Sequence, residues 1–164
     1  MDPCRIVILG NAGSGKTTLA RQLSQELNAP VLGLDGLAWT EGAERRPDHA
    51  CERDLRAFID NHDRWIVEGC YGNLVQAALP HCTQLRFLNP GVEVCLANCR
   101  KRPWEPDKFK TPAEQAAMLE PLLDWVRQYE TRRDEYGLQR HRAIYDGFAG
   151  DKHMSPGSPA WSAE

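Results

Sequence analysis

Long apolar runs are missing from this chain. None of its 164 residues falls in a stretch approaching the ~18 apolar residues of a membrane span, so no spanning helix is expected. A basic excess is also missing. The formal net charge is −3, and no aromatic–basic spacing recurs, which argues against nucleic acid and anionic membrane as partners. The opening MDPCRIVILG lacks a charged-then-apolar leader and reads directly as a first strand, so a cytoplasmic protein is expected. No internal repeat is present. Paired metal-type cysteines are absent as well. Cys4, Cys51, Cys70, Cys82, Cys95 and Cys99 form no CxxC pair, and the i,i+4 spacing of Cys95 and Cys99 has no companion ligands. Free thiols in a reducing compartment are the reading, not a disulfide framework or a zinc site.

What is present suits one domain, with 41% hydrophobic and 26% charged residues. Residues 1–152 are read as that domain, with short apolar runs alternating with helical patterns. RIVIL (5–9) is a first strand, and a helix follows from Lys16 to about Leu27 with Leu19, Ala20, Leu23 and Leu27 on one face. PVLGLD, opened by Pro30, is a second strand, and residues 36–47 read as a loop. From Asp48 the apolar positions Cys51, Leu55, Phe58 and Ile59 recur at helical spacing. RWIVEG (64–69) is a third strand, a short helix occupies about 73–79, and TQLRFLN (83–89) is a fourth strand. A helix carrying Val92, Cys95, Leu96 and Cys99 comes next. Thr111, Pro112 and Glu114 form a helix start with a capping box. The helix they open should kink or split at Pro121. AIYDGF (143–148) fits a short fifth strand or a helix end, and the Pro/Ser/Gly-rich stretch 153–164 reads as a disordered tail. Strands separated by helices imply an α/β fold: a parallel sheet with right-handed crossovers and helices on both faces.

Gly10-x-x-x-x-Gly15-Lys16-Thr17 is a complete Walker A pattern. It follows a predicted strand and opens a predicted helix, the context such a loop requires. Glycines let backbone N–H groups curl around phosphate oxygens, and the helix N-terminus adds partial positive charge. Gly10, Asn11, Ala12, Gly13, Ser14, Gly15, Lys16, Thr17 and Thr18 are therefore assigned to ATP, with Lys16 on the β- and γ-phosphates and Thr17 on Mg2+. A GTPase needs NKxD after a strand, and LNPG at 88–91 is not that. Motor and AAA-type ATPases usually have longer chains and a strand ending in Asp or Asp-Glu, whereas the third strand here ends WIVEG. Small size and an arginine-rich second half point instead to a small kinase.

GNAGSGKTTLA (10–20), LDGLAW (34–39) and RWIVEGCYG (64–72) resemble small P-loop kinases of the adenylate-kinase and shikimate-kinase type. They are most similar to adenylate-kinase-like P-loop proteins labelled DNA topology modulation proteins. The resemblance spans about residues 4–102. Glu68 and Cys70 depart from it, since that group commonly has Asp and Asn there. It implies a five-stranded parallel sheet of order 2-3-1-4-5, an acceptor bound across the carboxyl ends of the strands, and a lid after the fourth strand. It also implies that Asp35, as the acid after the second strand, contacts the acceptor or the water shell of Mg2+.

Glu68 is a second candidate acid, because a carboxylate ending a parallel strand is seldom structural; it would bind Mg2+ through water or activate a nucleophile. Gly69 and Gly72 allow close approach of a ligand, while Tyr71 and Trp39 either line an acceptor pocket or pack. Basic residues cluster after the fourth strand: Arg100, Lys101, Arg102, Lys108 and Lys110. Arg100 and Arg102 are the lid candidates, since a guanidinium fork suits a transferring phosphoryl group; the lid and helical region is placed at about 100–136. The function expected is ATP- and Mg2+-dependent phosphoryl transfer to a small acceptor: a nucleoside, a nucleotide or another hydroxyl metabolite. The alternatives are an ATP-binding regulatory or nucleic-acid-associated protein, and an ATPase that depends on a partner.

Overall fold

The computed structural model describes residues 3–155. Strand β1 (Arg5–Gly10) runs into α1 (Lys16–Leu27), followed by β2 (Val31–Gly33) and the one-turn α2 (Leu34–Ala38). Next come α3 (Asp48–Asp60), β3 (Trp65–Gly69), α4 (Gly72–Ala78), a short 3-10 turn and β4 (Gln84–Leu88). The second half holds α5 (Val92–Arg100), α6 (Pro112–Ala117), α7 (Leu119–Arg127), α8 (Leu138–Gly147) and β5 (Asp151–Ser155). The five strands form one sheet of order β2-β3-β1-β4-β5, parallel at every pairing.

Alternation in β1 sets up two cores. Val7 and Leu9 face a layer with Leu55, Trp65, Val67, Leu74, Val75 and Ile144. Ile6 and Ile8 face the opposite layer with Leu19, Leu23 and Ile66. Both faces are covered, as a parallel sheet requires. A third cluster joins Cys95, Leu96 and Cys99 of α5 to Leu123 and Val126 of α7.

Strands β3 and β4 flank β1 on opposite sides. The chain leaves β1 toward one edge and later returns to build the other. This reversal opens a crevice at the carboxyl end of β1, where open α/β sheets bind ligands, and residues 10–18 lie there.

Two expectations change, and one open reading is decided. Of the two readings of AIYDGF the helix end is the one observed: it belongs to α8 and the residue that caps it, because His141, Ile144, Tyr145 and Phe148 follow helical spacing onto the core. The fifth strand is Asp151–Ser155, which overlaps the start of the expected tail. Its sequence DKHMS is polar because it forms an outer strand, so it carries no apolar run to reveal it. The rest of that tail, 156–164, lies outside the described residues. The region read as lid, 100–136, also divides in two. Residues 101–118 bury no side chain, whereas Leu123, Val126 and Tyr129 are core. The helix does split, but at Met118; Pro121 sits in the first turn of α7, where its missing N–H costs nothing.

Candidate active site

The loop from Gly10 to Thr18 is held by what lies behind it. Gly13 and Gly15 have φ of 80° and 99°, left-handed values that favour glycine. A Cβ on Gly13 would lie 2.3 Å from the carbonyl oxygen of Cys95 and 2.8 Å from Sγ of Cys99. A Cβ on Gly10 would lie 2.6 Å from both the Leu88 carbonyl oxygen and Ser14 Oγ. Asn98 Nδ2 donates to the Gly13 carbonyl at 2.8 Å, Asn11 Nδ2 donates to the Val126 carbonyl at 3.4 Å, and Ala12 packs against the α5–α7 cluster.

Lys16 opens α1 directly after the loop and is buried, at 8% accessible. Its ammonium donates to the Asn11 carbonyl at 2.7 Å. Thr17 and Thr18 follow it in the first turn of α1. Asn11 Oδ1 and Ser14 Oγ are buried without partners, an unusual condition in a native interior. The unmatched Ser14 hydroxyl, which can donate, a cradle closed to Cβ atoms and a helix N-terminus fit phosphate oxygens, whereas Asn11 Oδ1 can only accept.

Asp35 lies in the first turn of α2, one residue past its start rather than within a strand. Its Oδ1 accepts the Tyr71 hydroxyl at 2.5 Å, and its Oδ2 accepts Lys108 Nζ at 3.3 Å. Desolvation pushes its carboxyl up, but Lys108, the Tyr71 hydrogen bond and Lys16 together hold it below the ordinary carboxylate value. Glu68 is the penultimate residue of β3, beside Ile8 of β1 and Gly33 of β2. Desolvation raises its pKa, reinforced by Asp35 and opposed by Lys16, Lys108 and the Thr17 hydroxyl. The fold thus brings Lys16, Thr17, Asp35 and Glu68 together, with two carboxyl groups whose affinities for a proton are pushed apart.

Among the described residues no ion pair joins Arg100 or Arg102 to Asp35 or Glu68. Arg100 is exposed at the end of α5, Arg102 is half-buried just beyond it, and their charges are felt at Cys99, behind the loop. Glu105 lies 3.7 Å from Lys108. Among the described residues Arg102 forms no ion pair.

Two residues named in the sequence take roles that it did not assign. Tyr71, 4% exposed, packs in the core and also accepts Trp39 Nε1 at 2.8 Å while donating to Asp35. Lys108 was one of many basic residues, and nothing in its surroundings in sequence points to Asp35, 73 positions away. Behind the site His141 is fully buried. Its Nε2–H donates to the Cys70 carbonyl at 2.9 Å, which leaves Nδ1 to accept the Tyr129 hydroxyl at 2.7 Å.

Among the described residues no cluster of three or more His, Cys, Asp or Glu side chains could hold a metal ion by itself. No helix there is long and apolar enough to cross a membrane.

No family model matches the chain, and neither does any curated protein. Solved structures do match. A shikimate kinase from Aquifex aeolicus aligns over 94% of this chain and 88% of its own at 19% identity and a TM-score of 0.53. A sugar kinase from Janibacter sp. HTCC2649 aligns over 93% of this chain and 85% of its own at 16% identity and a TM-score of 0.52. The chain has the fold of these P-loop kinases.

Proposed function

We propose that the protein transfers the γ-phosphoryl group of ATP to a hydroxyl of a small acceptor: a nucleoside, a nucleotide or another hydroxyl metabolite. The observation that carries this reading is the convergence of Asp35 and Glu68, from two separate elements, on the charge of Lys16. A loop that only bound nucleotide would not need two carboxyl groups there.

On this reading the backbone N–H groups of residues 10–16 and the Lys16 ammonium bind the phosphates, with Lys16 exchanging the Asn11 carbonyl for phosphate oxygen. Thr17, Asp35 and Glu68 would hold Mg2+, directly or through water. When bound, that ion neutralises charge on the phosphates. Asp35, kept anionic by its neighbours, orients the acceptor hydroxyl and accepts its proton. Arg100, which ends α5, and Arg102, which leads into the segment after it, are the arginines offered to the phosphoryl group. Six unpaired cysteines suit the cytoplasm, where such a reaction would find its ATP.

The test is a phosphoryl-acceptor screen: the purified chain with labelled ATP and Mg2+, against nucleosides, nucleotides and sugars. Label should move to one acceptor class. ATP binding without transfer to any of them would favour a regulatory protein, and release of phosphate only with a partner present would favour an ATPase.

A further inference from the structure

Residues 103–117 form a small unit braced from within. Trp104 Nε1 donates to the Phe109 carbonyl at 3.1 Å. The Glu105 amide donates to Gln115 Oε1 at 2.7 Å, and Gln115 Nε2 donates back to the Pro103 carbonyl at 3.0 Å. The Lys110 amide donates to Glu114 Oε2 at 3.0 Å, and the Glu114 amide to Thr111 Oγ1 at 3.1 Å. The unit therefore has a shape of its own, although it buries none of its side chains in the body.

Its attachment is sparse. Apart from the backbone bonds of the Met118 amide to the Glu114 and Gln115 carbonyls, where the chain leaves the unit, one hydrogen bond or ion pair among the described residues joins 103–117 to the rest of the chain: Lys108 Nζ to Asp35 Oδ2, at 3.3 Å. Both side chains are about half exposed, at 44% and 54%. Such a pair contributes little and is readily broken. A braced body with chain connections at each end and one weak polar contact is built to swing as a unit.

We propose that Lys108 is the latch of this lid and a positioning residue for Asp35. This rests on the kinase reading in giving Asp35 its task; the contact itself does not. When the unit lies over the site, the ammonium fixes Oδ2 while the Tyr71 hydroxyl, held by Trp39, fixes Oδ1. The carboxylate is then anchored at both oxygens, with lone pairs remaining for an acceptor hydroxyl. When the unit lifts, Asp35 Oδ2 loses its hydrogen bond to Lys108 while Oδ1 keeps Tyr71. Closure of the lid and the fixing of the carboxylate are thereby the same event.

Amide hydrogen exchange on the full chain, without ATP or acceptor, tests this. Lys108→Met and Asp35→Asn should each speed exchange across 103–117 by about two- to five-fold, the span of a partly exposed pair. The double variant should go no further, because both single changes open the same latch. Lys108→Arg, which keeps a cation on Asp35, should restore the slow exchange. A lysine serving only as surface charge would leave exchange unmoved in all of these. Unchanged exchange in the single variants, or additive effects in the double, overturns the proposal whether or not an acceptor is found. A failed acceptor screen with slow exchange restored by Lys108→Arg would overturn the kinase reading and leave the latch standing.

Discussion

Asp35 and Glu68 resemble each other in sequence and differ in surroundings. Asp35 has two hydrogen-bond donors on its oxygens and is held low, whereas desolvation raises Glu68. Asp35→Asn and Glu68→Gln keep shape and remove charge. Each should lower turnover by ~10²-fold or more, the scale of acid–base groups, with little change in ATP affinity measured without Mg2+; full activity in both would leave the site with no working acid. His141 has a different consequence. Burial holds its pKa down at about 4 against 6.5. Between those values an unfolded chain takes up a proton that the folded one refuses, so stability falls as pH drops from 6.5 toward 4, by at most roughly 3 kcal/mol. Urea unfolding at pH 7.5 and 5.0 should show this loss, and His141→Gln should show a smaller one. The residues of the phosphate loop were legible because their chemistry is bound to their spacing. The roles of Tyr71 and Lys108 on Asp35 were not, because they come from contacts between residues far apart in sequence.

At the scale of elements, α7 was misjudged most. Leu119, Leu122, Leu123 and Val126 recur at helical spacing, but a helical stripe does not say what it packs on. It backs α5, and through the Val126 carbonyl it steadies Asn11. Leu123, 1% exposed, should therefore serve both fold and site. Leu123→Ala should cost about 2–5 kcal/mol, the range for buried leucines, read as a shift in the denaturation midpoint; a loss below that range would mean α7 is only loosely attached. The mobile element would then be residues 103–117. If Arg102 meets the phosphoryl group in the transition state alone, Arg102→Ala should lower kcat by ~10²-fold with much less effect on ATP Kd. Arg102→Lys should restore it only in part, because an ammonium lacks the planar fork. Normal kcat in both would remove this arginine from the reaction. The strands were found where both faces carry apolar residues, as in RIVIL and WIV. They were missed at the β5 edge, where DKHMS pairs by backbone and needs no such pattern.

For the molecule as a whole, site and stability are one system. The loop between β1 and α1 touches α5 and α7, which share no strand with it, so filling it should tighten parts far apart in sequence. ATP at a hundred times its Kd should add about 2.7 kcal/mol. For a chain of this size that corresponds to roughly 5–11 °C in Tm. Lys16→Ala should retain the unliganded Tm within a few degrees and lose most of the ATP-induced rise, measured by scanning calorimetry. An equal rise in that variant would move the nucleotide away from residues 10–18.

The two thiols behind Gly13 offer a way to watch that tightening. Cys95 and Cys99 are 2% and 3% exposed, and burial pushes the Cys95 thiol up to about 11. A thiol reagent can reach neither while α5 and the loop stay together. Their rate of alkylation under native conditions therefore counts how often that layer parts. The chain carries its own chemical clock directly beneath the phosphate loop, and bound nucleotide should make it run slow.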